Sequence, residues 1–197
     1  MATLRQTALR AIYPWLMKLT KRLGKNAAVI SNTTNQLFQI PIHSLTVPLN
    51  NGKTLPLQEL KGRKLLLVNT ASDCGYTAQY SELQQLQEQY QQKLQVIGFP
   101  ANDFKEQEKG SDKAIAQFCQ VYFGVTFPLA KKSSVVKGPQ QHPVYRWLTE
   151  KKQNGWNDKA PSWNFSKYLV DEQGVLTHYF DPSVAPLGSE IIAAIEK

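Results

Sequence analysis

Cys74 stands where a cysteine can serve as a nucleophile. It follows an apolar run typical of a buried strand and precedes apolar residues at helical spacing: Leu65-Leu66-Leu67-Val68 before it, and Tyr80, Leu83, Leu86, Tyr90 and Leu94 after it. In such a strand-to-helix turn, the unpaired N–H groups and the dipole of the first helical turn stabilise a thiolate. The sequence therefore predicts a reactive Cys74 with a lowered pKa, against the alternative of a small core residue.

Cys119, the other of the two cysteines, lies 45 positions after Cys74. This spacing matches neither a Cys-x-x-Cys redox pair nor a zinc site, and two cysteines do not make a disulfide framework. Ser111 can cap a helix that runs to about Tyr122, and the apolar spacing of that helix places Cys119 on or beside its buried face. A core residue and a redox-active thiol are both open interpretations of Cys119 at this point.

The formal net charge of +8 belongs to the N-terminal part of the chain. Residues 1–58 contain seven Lys and Arg and no Asp or Glu, whereas the rest contains 16 basic and 15 acidic residues. Because the body of the chain is nearly neutral, the charge gives no evidence of a basic groove on it, and we expect no nucleic-acid binding. No apolar run approaches the roughly 18 residues that span a bilayer, so we expect no integral membrane protein.

Residues 1–36 are predicted to form a basic amphipathic N-terminal extension and linker ahead of a domain at 37–197. Apolar residues interleaved with Arg and Lys indicate an amphipathic helix within 1–25, and the mostly polar stretch 26–35 indicates a linker. Three interpretations of the helix are open: packing on the body, docking to a membrane surface or a partner, and targeting. We expect a cytoplasmic protein, with a peripheral membrane or organelle location through this extension as the alternative.

Two strands and the helix between them form the predicted centre of the fold. The strands, at 65–69 and 96–99, flank the helix, and such a βαβ unit has parallel strands and a right-handed crossover. The polar loop 101–110 then leaves the same edge of the sheet as Cys74. Open α/β sheets place their sites at that edge.

The remaining elements are predicted from alternating apolar residues and from turn residues. They are a hairpin at 44–60 around Asn51-Gly52, a short strand at 125–129, a helix at 143–150, antiparallel strands at 168–170 and 176–180, and a final helix at 189–196. With the βαβ unit they indicate an α/β protein of thioredoxin-like fold, in which helices flank a central mixed sheet behind an N-terminal β-hairpin.

Three blocks of the sequence resemble the signature blocks of the glutathione peroxidase family. They are Val68-Asn69-Thr70-Ala71-Ser72-Asp73-Cys74-Gly75-Tyr76-Thr77, then Gly98-Phe99-Pro100-Ala101-Asn102-Asp103-Phe104 with Gln107-Glu108, and Trp163-Asn164-Phe165-Ser166-Lys167-Tyr168-Leu169. The blocks stand in the family's order and at its spacing. The resemblance runs from about residue 44 to the C-terminus and leaves the N-terminal extension outside it.

The resemblance implies a catalytic group of Cys74, Gln107, Trp163 and Asn164. A Cys74 thiolate would split the O–O bond of hydrogen peroxide or of an organic or lipid hydroperoxide and become a sulfenic acid, while the neutral donors stabilise the moving charge. Cys119 takes the position of a resolving cysteine, which implies recycling by thioredoxin or glutathione and local unwinding of its helix. Such a reaction needs no metal and no organic cofactor.

The chain departs from the family pattern at several positions. Ala101 replaces a common Cys, which leaves one candidate resolver, and Asp103 and Lys109 stand where Gln and Pro are usual. Asp73 places a negative charge beside the nucleophile, which should raise its pKa. The stretch 148–162 is short compared with the interface loop of the family's tetrameric members. This implies a monomer or a weak dimer with a site open to bulky lipid hydroperoxides. A thiol–disulfide exchange protein or a peroxide sensor on the same fold is the alternative function.

Overall fold

The structure is a computed structural model that describes Ile12 and residues 29–197. The amphipathic pattern predicted within 1–25 therefore falls, apart from Ile12, outside the described residues. Within the described part of the chain, no helix is both long enough and apolar enough to cross a membrane.

Residues 29–197 form seven strands and five α-helices. The strands are β1 (Val29–Ser31), β2 (Thr46–Pro48), β3 (Thr54–Pro56), β4 (Lys64–Thr70), β5 (Leu94–Pro100), β6 (Lys167–Val170) and β7 (Leu176–Phe180). The α-helices are α1 (Gln79–Gln89), α2 (Asp112–Phe123), α3 (Pro143–Thr149), α4 (Lys151–Asn154) and α5 (Ser189–Glu196). Short 3₁₀ helices, Ile42–Ser44 and Leu57–Leu60, flank the hairpin of β2 and β3.

The central sheet has five strands in the order β1-β7-β6-β4-β5. β4 and β5 are parallel, with Leu66 opposite Val96, and every other neighbouring pair is antiparallel. β4 is buried along its whole length, as expected of a central strand with both faces covered. The predicted parallel βαβ pair, the hairpin, and the antiparallel pair of β6 and β7 are confirmed.

The sheet separates two apolar cores. On one side, α1, α2 and α5 pack together through residues that include Leu83, Ile115 and Ile191. On the other side, α3 and the hairpin cover the sheet with a second set of apolar residues. Cys74 and Cys119 both belong to the first core, so the fold places the two thiols on the same side of the sheet.

The linker predicted at 26–35 is wrong for residues 29–31. These residues form β1, which pairs with β7. They gave no clear signal because the strand is short and lies at the edge of the sheet, largely exposed and without an alternating pattern. The chain that follows is also docked, since the Gln39 and Ile40 N–H groups both donate to the Gln153 carbonyl, at 2.8 and 3.1 Å. The packed part of the protein therefore begins before the predicted domain boundary.

Two further predictions are corrected in detail. The strand expected at 125–129 is not formed, and Leu129 instead makes a single bridge to Gly98. The first helix ends at Gln89, so Leu94 belongs to β5 and does not continue the helical stripe. In both places a short apolar run fits more than one kind of element, and tertiary pairing decides between them.

α2 begins where the sequence predicts. The Ser111 hydroxyl accepts a hydrogen bond from the Ala114 N–H at 3.3 Å, and the helix ends at Gly124, whose φ of +62° suits glycine. Between these two ends, Ile115 and Cys119 are the buried residues of the helix. The cap and the terminating glycine thus fix the register that turns Cys119 inward.

Replacing Gly155 by Ala is expected to lower the free energy of unfolding by about 2 kcal/mol or more. Gly155 follows α4 with a φ of +99°, and a Cβ there would overlap the backbone carbonyl of Leu37, whose carbon would lie 2.8 Å away. Gly138→Ala is the matched control, because a Cβ at Gly138 meets open space. Urea denaturation midpoints measure the difference, and equal midpoints for the two variants would contradict the prediction.

Candidate active site

The turn between β4 and α1 carries Cys74. The Thr77 hydroxyl accepts a hydrogen bond from the Cys74 N–H at 3.0 Å and donates to the Ala71 carbonyl at 2.9 Å, which closes the turn. The Tyr76 N–H donates to Cys74 Sγ at 3.5 Å. A backbone N–H therefore points at the sulfur, as expected of a strand-to-helix turn.

The loop before β6 brings two further donors to this sulfur. The side chains of Trp163 and Asn164 both act on Cys74 as donors that lower the pKa of its thiol. Asn69 fixes the loop to β4, because its Nδ2 donates to the Trp163 carbonyl at 3.1 Å and its own carbonyl accepts the Phe165 N–H at 2.6 Å. Phe165 has a φ of +67°, a left-handed conformation that a bulky residue keeps only when its surroundings hold it.

Lys167 secures the same loop from within the protein. Its side chain is fully buried, and Nζ donates to the carbonyls of Phe165 and Val184, both at 2.8 Å. Burial lowers the pKa of Lys167 to about 7, while the charges of Glu82 and Asp181 act in the opposite direction. Lys167 is not among the site residues predicted from the sequence. Its place in the third resembling block was the available signal, but the Val184 carbonyl comes from a chain segment that only the folded structure brings to it.

Gln107 joins the group through Asn164. Asn164 Nδ2 donates to Gln107 Oε1 at 3.0 Å, and the Gln107 carbonyl accepts the Asp73 N–H at 3.0 Å. The loop after β5 is thus bonded both to the turn of Cys74 and to the loop before β6. The four predicted site residues therefore lie in one cluster, in which Trp163 and Asn164 reach the sulfur and Gln107 contacts Asn164.

Asn164 also presents a buried acceptor at this place. The residue has no exposed surface, and its Oδ1 finds no hydrogen-bond donor within the described part of the chain. An unpartnered buried oxygen is unfavourable by roughly 1–3 kcal/mol in a folded protein, so its presence calls for an explanation. A hydroxyl group on a molecule bound at the sulfur would supply the missing donor.

Burial governs the ionisation of the Cys74 thiol. The residue is 1% exposed, and this loss of solvation raises its pKa above the ordinary value. The Tyr76 N–H and the side chains of Trp163 and Asn164 act in the opposite direction, and the charge of Asp73 adds to the rise. The lowered pKa predicted from the turn is therefore wrong. The donors are present, but water has been removed from the sulfur as well.

A strained loop holds the Trp163 ring in place. Lys105 and Glu106 both have a φ of +51°, and neither is a glycine. The Lys105 ammonium lies 5.7 Å from the centre of the Trp163 ring, and the Phe104 ring lies 5.5 Å from it. Contacts of both kinds favour one ring orientation. The sequence predicts only that this loop is polar, and nothing in its composition indicates the strain.

Cys119 lies on the buried face of α2 as a free thiol, as its helical spacing predicts. The residue has no exposed surface, and burial raises the pKa of the thiol to about 12. The Tyr80 hydroxyl lowers this pKa and the charge of Glu108 raises it. In this closed arrangement the thiol is almost wholly protonated and therefore unreactive.

A cleft of about 300 Å³ lies between the turn of Cys74 and α2. Its walls include Ser72, Asp73, Gln107 and Phe118. The cleft leaves open space between the two elements that carry the cysteines.

Comparisons with known proteins agree on one family. A sequence model described as glutathione peroxidase matches residues 42–149. The chain is 41% identical over 157 residues to the glutathione peroxidase homolog BsaA of Staphylococcus epidermidis, which covers 79% of this chain and 97% of that protein. It is 43% identical over 136 residues to the glutathione peroxidase-like peroxiredoxin HYR1 of Saccharomyces cerevisiae, which covers 68% of this chain and 83% of that protein.

Solved structures support the predicted fold. The crystal structure of T. cruzi GPX1 superposes with a TM-score of 0.58 at 31% identity, over 78% of this chain and 92% of that one. A thioredoxin family thiol:disulfide interchange protein from Chlorobium tepidum has a TM-score of 0.57 at 16% identity, over 79% of this chain and 92% of that one, and shares the fold alone. The predicted thioredoxin-like α/β fold is confirmed.

Replacing Asp73 by Asn is expected to make Cys74 react about two- to threefold faster at pH 7. The Asp73 charge is one of the causes that raise the pKa of Cys74, so its removal lowers that pKa and enlarges the thiolate fraction. The rate of alkylation by iodoacetamide between pH 6 and 9, in a Cys119→Ser background, measures the change, and the variant's profile should be displaced to lower pH. Glu59→Gln, the same charge change at an exposed site, is the control. An undisplaced profile would contradict the prediction.

Proposed function

This chain belongs to the glutathione peroxidase family and is a peroxidase, and from this premise we propose that it reduces hydrogen peroxide and organic or lipid hydroperoxides at Cys74. The observation that carries the proposal is the convergence of the Trp163 and Asn164 side chains on the Cys74 sulfur. Neutral N–H donors around a buried thiol suit a reaction in which negative charge moves from sulfur to a departing oxygen.

In the first step, the Cys74 thiolate attacks one oxygen of the hydroperoxide. The sulfur–oxygen bond forms as the O–O bond breaks, and the sulfur gives two electrons to the peroxide. The departing alkoxide or hydroxide takes up a proton and leaves as an alcohol or as water, while Cys74 keeps the other oxygen as a sulfenic acid. Because only the thiolate reacts and burial raises its pKa, the rate should increase with pH across the neutral range.

The remaining site residues hold the reactants. The N–H groups of Trp163 and Asn164 donate to the thiolate and can follow the charge to the leaving oxygen. Asn164 Oδ1 can accept a hydrogen bond from the O–H of the bound hydroperoxide, which would satisfy this buried acceptor. Gln107 accepts from Asn164 Nδ2 and so fixes which end of the Asn164 amide faces the sulfur.

Cys119 is the proposed resolving cysteine. Its thiolate attacks the sulfur of the Cys74 sulfenic acid, the S–S bond forms as the S–O bond breaks, and hydroxide leaves as water with the proton that Cys119 has lost. A disulfide needs the two Cα atoms within about 7 Å, and since Cys119 is fully buried on α2 we expect this helix to unwind locally. A reduced thioredoxin then returns both cysteines to thiols, and glutathione is the alternative donor. The peroxiredoxin designation of the yeast relative supports a thiol-based cycle.

Assembly and location stay predictions. A monomer or weak dimer is expected, and the cytoplasm is the expected compartment unless the N-terminal extension, residues 1–36, directs the protein to a membrane or an organelle. Contact with a membrane surface through this basic segment would bring the site near lipid hydroperoxides.

Replacing Asn164 by Ala is expected to lower the second-order rate constant for hydrogen peroxide about 100-fold. The change removes a donor to the sulfur and the acceptor proposed for the substrate. Stopped-flow tryptophan fluorescence measures the rate, because Trp163 contacts Cys74. Ser162→Ala serves as the control, since its hydroxyl bonds to Asp181 and Tyr179 and not to the sulfur. A loss of less than about threefold, in a variant with native circular dichroism, would contradict this role.

Replacing Cys119 by Ser should leave one stoichiometric round of peroxide reduction and stop thioredoxin-driven cycling. Replacing Cys74 by Ser should abolish both, because the nucleophile is lost. Peroxide consumption with thioredoxin or with glutathione as the donor measures the two effects. Full cycling by the Cys119→Ser protein would exclude the resolving role, and full peroxide consumption by the Cys74→Ser protein would exclude the proposed function.

A further inference from the structure

No step of the proposed mechanism uses the cleft beside the turn of Cys74. Its volume of about 300 Å³ is at the lower end of the range for ligand-binding pockets. One wall is the turn itself, at Ser72 and Asp73, and the opposite wall is α2. Gln107, one of the four predicted site residues, also lines the cleft. The cleft therefore adjoins the catalytic cluster.

Gln107 joins this cleft to the reacting groups. Its Oε1 accepts a hydrogen bond from Asn164 Nδ2 at 3.0 Å, and its carbonyl accepts the N–H of Asp73 at 3.0 Å. A hydroperoxide with one oxygen at the Cys74 sulfur must extend away from that sulfur with the rest of its molecule. Beside Gln107, the cleft offers this part of the molecule a place between the turn and α2.

The wall that α2 contributes to the cleft is apolar. It consists of Ala114, Ile115 and Phe118. Ile115 is 1% exposed and belongs to the first core, and Phe118 packs against that core while remaining partly exposed. Ala114 is exposed, and because its side chain ends at Cβ it leaves the space beside it open. An alkyl chain in the cleft would cover this apolar surface.

The charged groups around the cleft do not favour an anionic ligand. Among the residues that line it, Asp73, Glu106 and Glu108 carry carboxyl groups, and Lys109 carries an ammonium group. Lys109 forms an ion pair with Glu106 at 3.4 Å, and both side chains are about three-quarters exposed, at the rim. Glu108 Oε2 accepts a hydrogen bond from the Ser72 hydroxyl at 3.0 Å. An uncharged chain therefore suits the cleft better than one that ends in a carboxylate.

We propose that this cleft binds the alkyl chain of an organic hydroperoxide while its peroxide group lies at Cys74. The inference rests on the proposed function, because it concerns the substrate of that same reaction. It makes Ala114 and Phe118 specificity-determining residues and an uncharged, flexible chain the preferred substituent. Hydrogen peroxide has no chain and gains nothing from the cleft.

The length of the chain separates binding from chemistry. In a series of primary alkyl hydroperoxides the O–O bond and the departing alkoxide stay almost the same, so the main change is in the contacts of the chain. Complete burial of one methylene group strengthens binding about fourfold. The rim of the cleft is exposed, so burial is partial and we expect about twofold per methylene group. Contacts made both before and in the transition state raise the second-order rate constant.

The test compares the second-order rate constants of ethyl, butyl and hexyl hydroperoxide in the Cys119→Ser protein. In this background, stopped-flow tryptophan fluorescence records only the oxidation of Cys74. Hexyl hydroperoxide should react about tenfold faster than ethyl hydroperoxide, with butyl hydroperoxide between them. The analogue in which a carboxylate replaces the terminal methyl group of hexyl hydroperoxide should lose most of this advantage.

Replacing Ala114 by Gln puts a longer, polar side chain into the cleft and keeps a good helix former in α2. The ratio of the hexyl to the ethyl rate constant should fall from about ten to below about three. A general effect of the substitution on Cys74 cancels in this ratio. Val121→Gln is the matched control, because Val121 is a 67% exposed residue of α2 that does not line the cleft. This control should keep the higher ratio.

Two results would overturn the inference. One is equal rate constants for ethyl and hexyl hydroperoxide, and the other is the same ratio in the Ala114→Gln and Val121→Gln proteins, which would place the chain elsewhere. If Ala114→Gln does not fold, the carboxylate analogue decides, and a rate constant equal to that of hexyl hydroperoxide would overturn the inference.

Hydrogen peroxide separates this inference from the proposed function. If it fails to oxidise Cys74, the proposed function is overturned, and this inference with it. If it oxidises Cys74 while the rate constants do not depend on chain length, the inference alone is overturned.

Discussion

The contacts of Asn69 hold together the two parts of the chain on which the site depends. Asn69 lies near the end of β4, the strand that leads to Cys74, and binds the loop before β6 through its side chain and through both of its backbone groups. The antiparallel pairing of β4 with β6 sets the register, with Val68 opposite Lys167. Lys167 then ties the loop to the chain near Val184. If this strand pairing shifted by one residue, the indole and the amide would no longer meet the sulfur.

Much of this arrangement could be predicted because the sequence carries local signals for it. These signals are the apolar run of β4, the Ser111 cap of α2 and the three resembling blocks. Each depends only on residues close together in the sequence, and the structure has the predicted elements at those places. The pKa of Cys74 could not be predicted from the turn alone. Its direction depends on how completely distant segments exclude water from the sulfur, and burial outweighs the donors that the turn supplies. Glu108 is similar, since a carboxylate in a polar loop looks solvated until the fold buries it.

Both cysteines lie in one core. Burial there favours the folded state but opposes the ionisation that makes the thiols reactive. Cys74 accepts a hydrogen bond from the Tyr76 N–H that favours its thiolate, whereas burial raises the pKa of Cys119 to about 12 and the charge of Glu108 raises it further. The two thiols therefore differ in how easily they ionise, although they share the same apolar surroundings. Lys105 and Glu106 have left-handed backbone conformations, which are a cost to stability. This strain in the loop accompanies a fixed orientation of the Trp163 ring at the site.

β1 has a consequence for how shortened forms of this protein would behave in solution. The strand covers the outer edge of β7 and, being only three residues long, offers little edge of its own for a foreign strand to join. A deletion made at residue 36, where composition alone would divide the chain, would strip β1 and leave the backbone N–H and C=O groups of β7 facing water. Such an uncovered edge invites pairing between molecules, so oligomers of that shortened protein would reflect where it was cut and would not describe the intact chain.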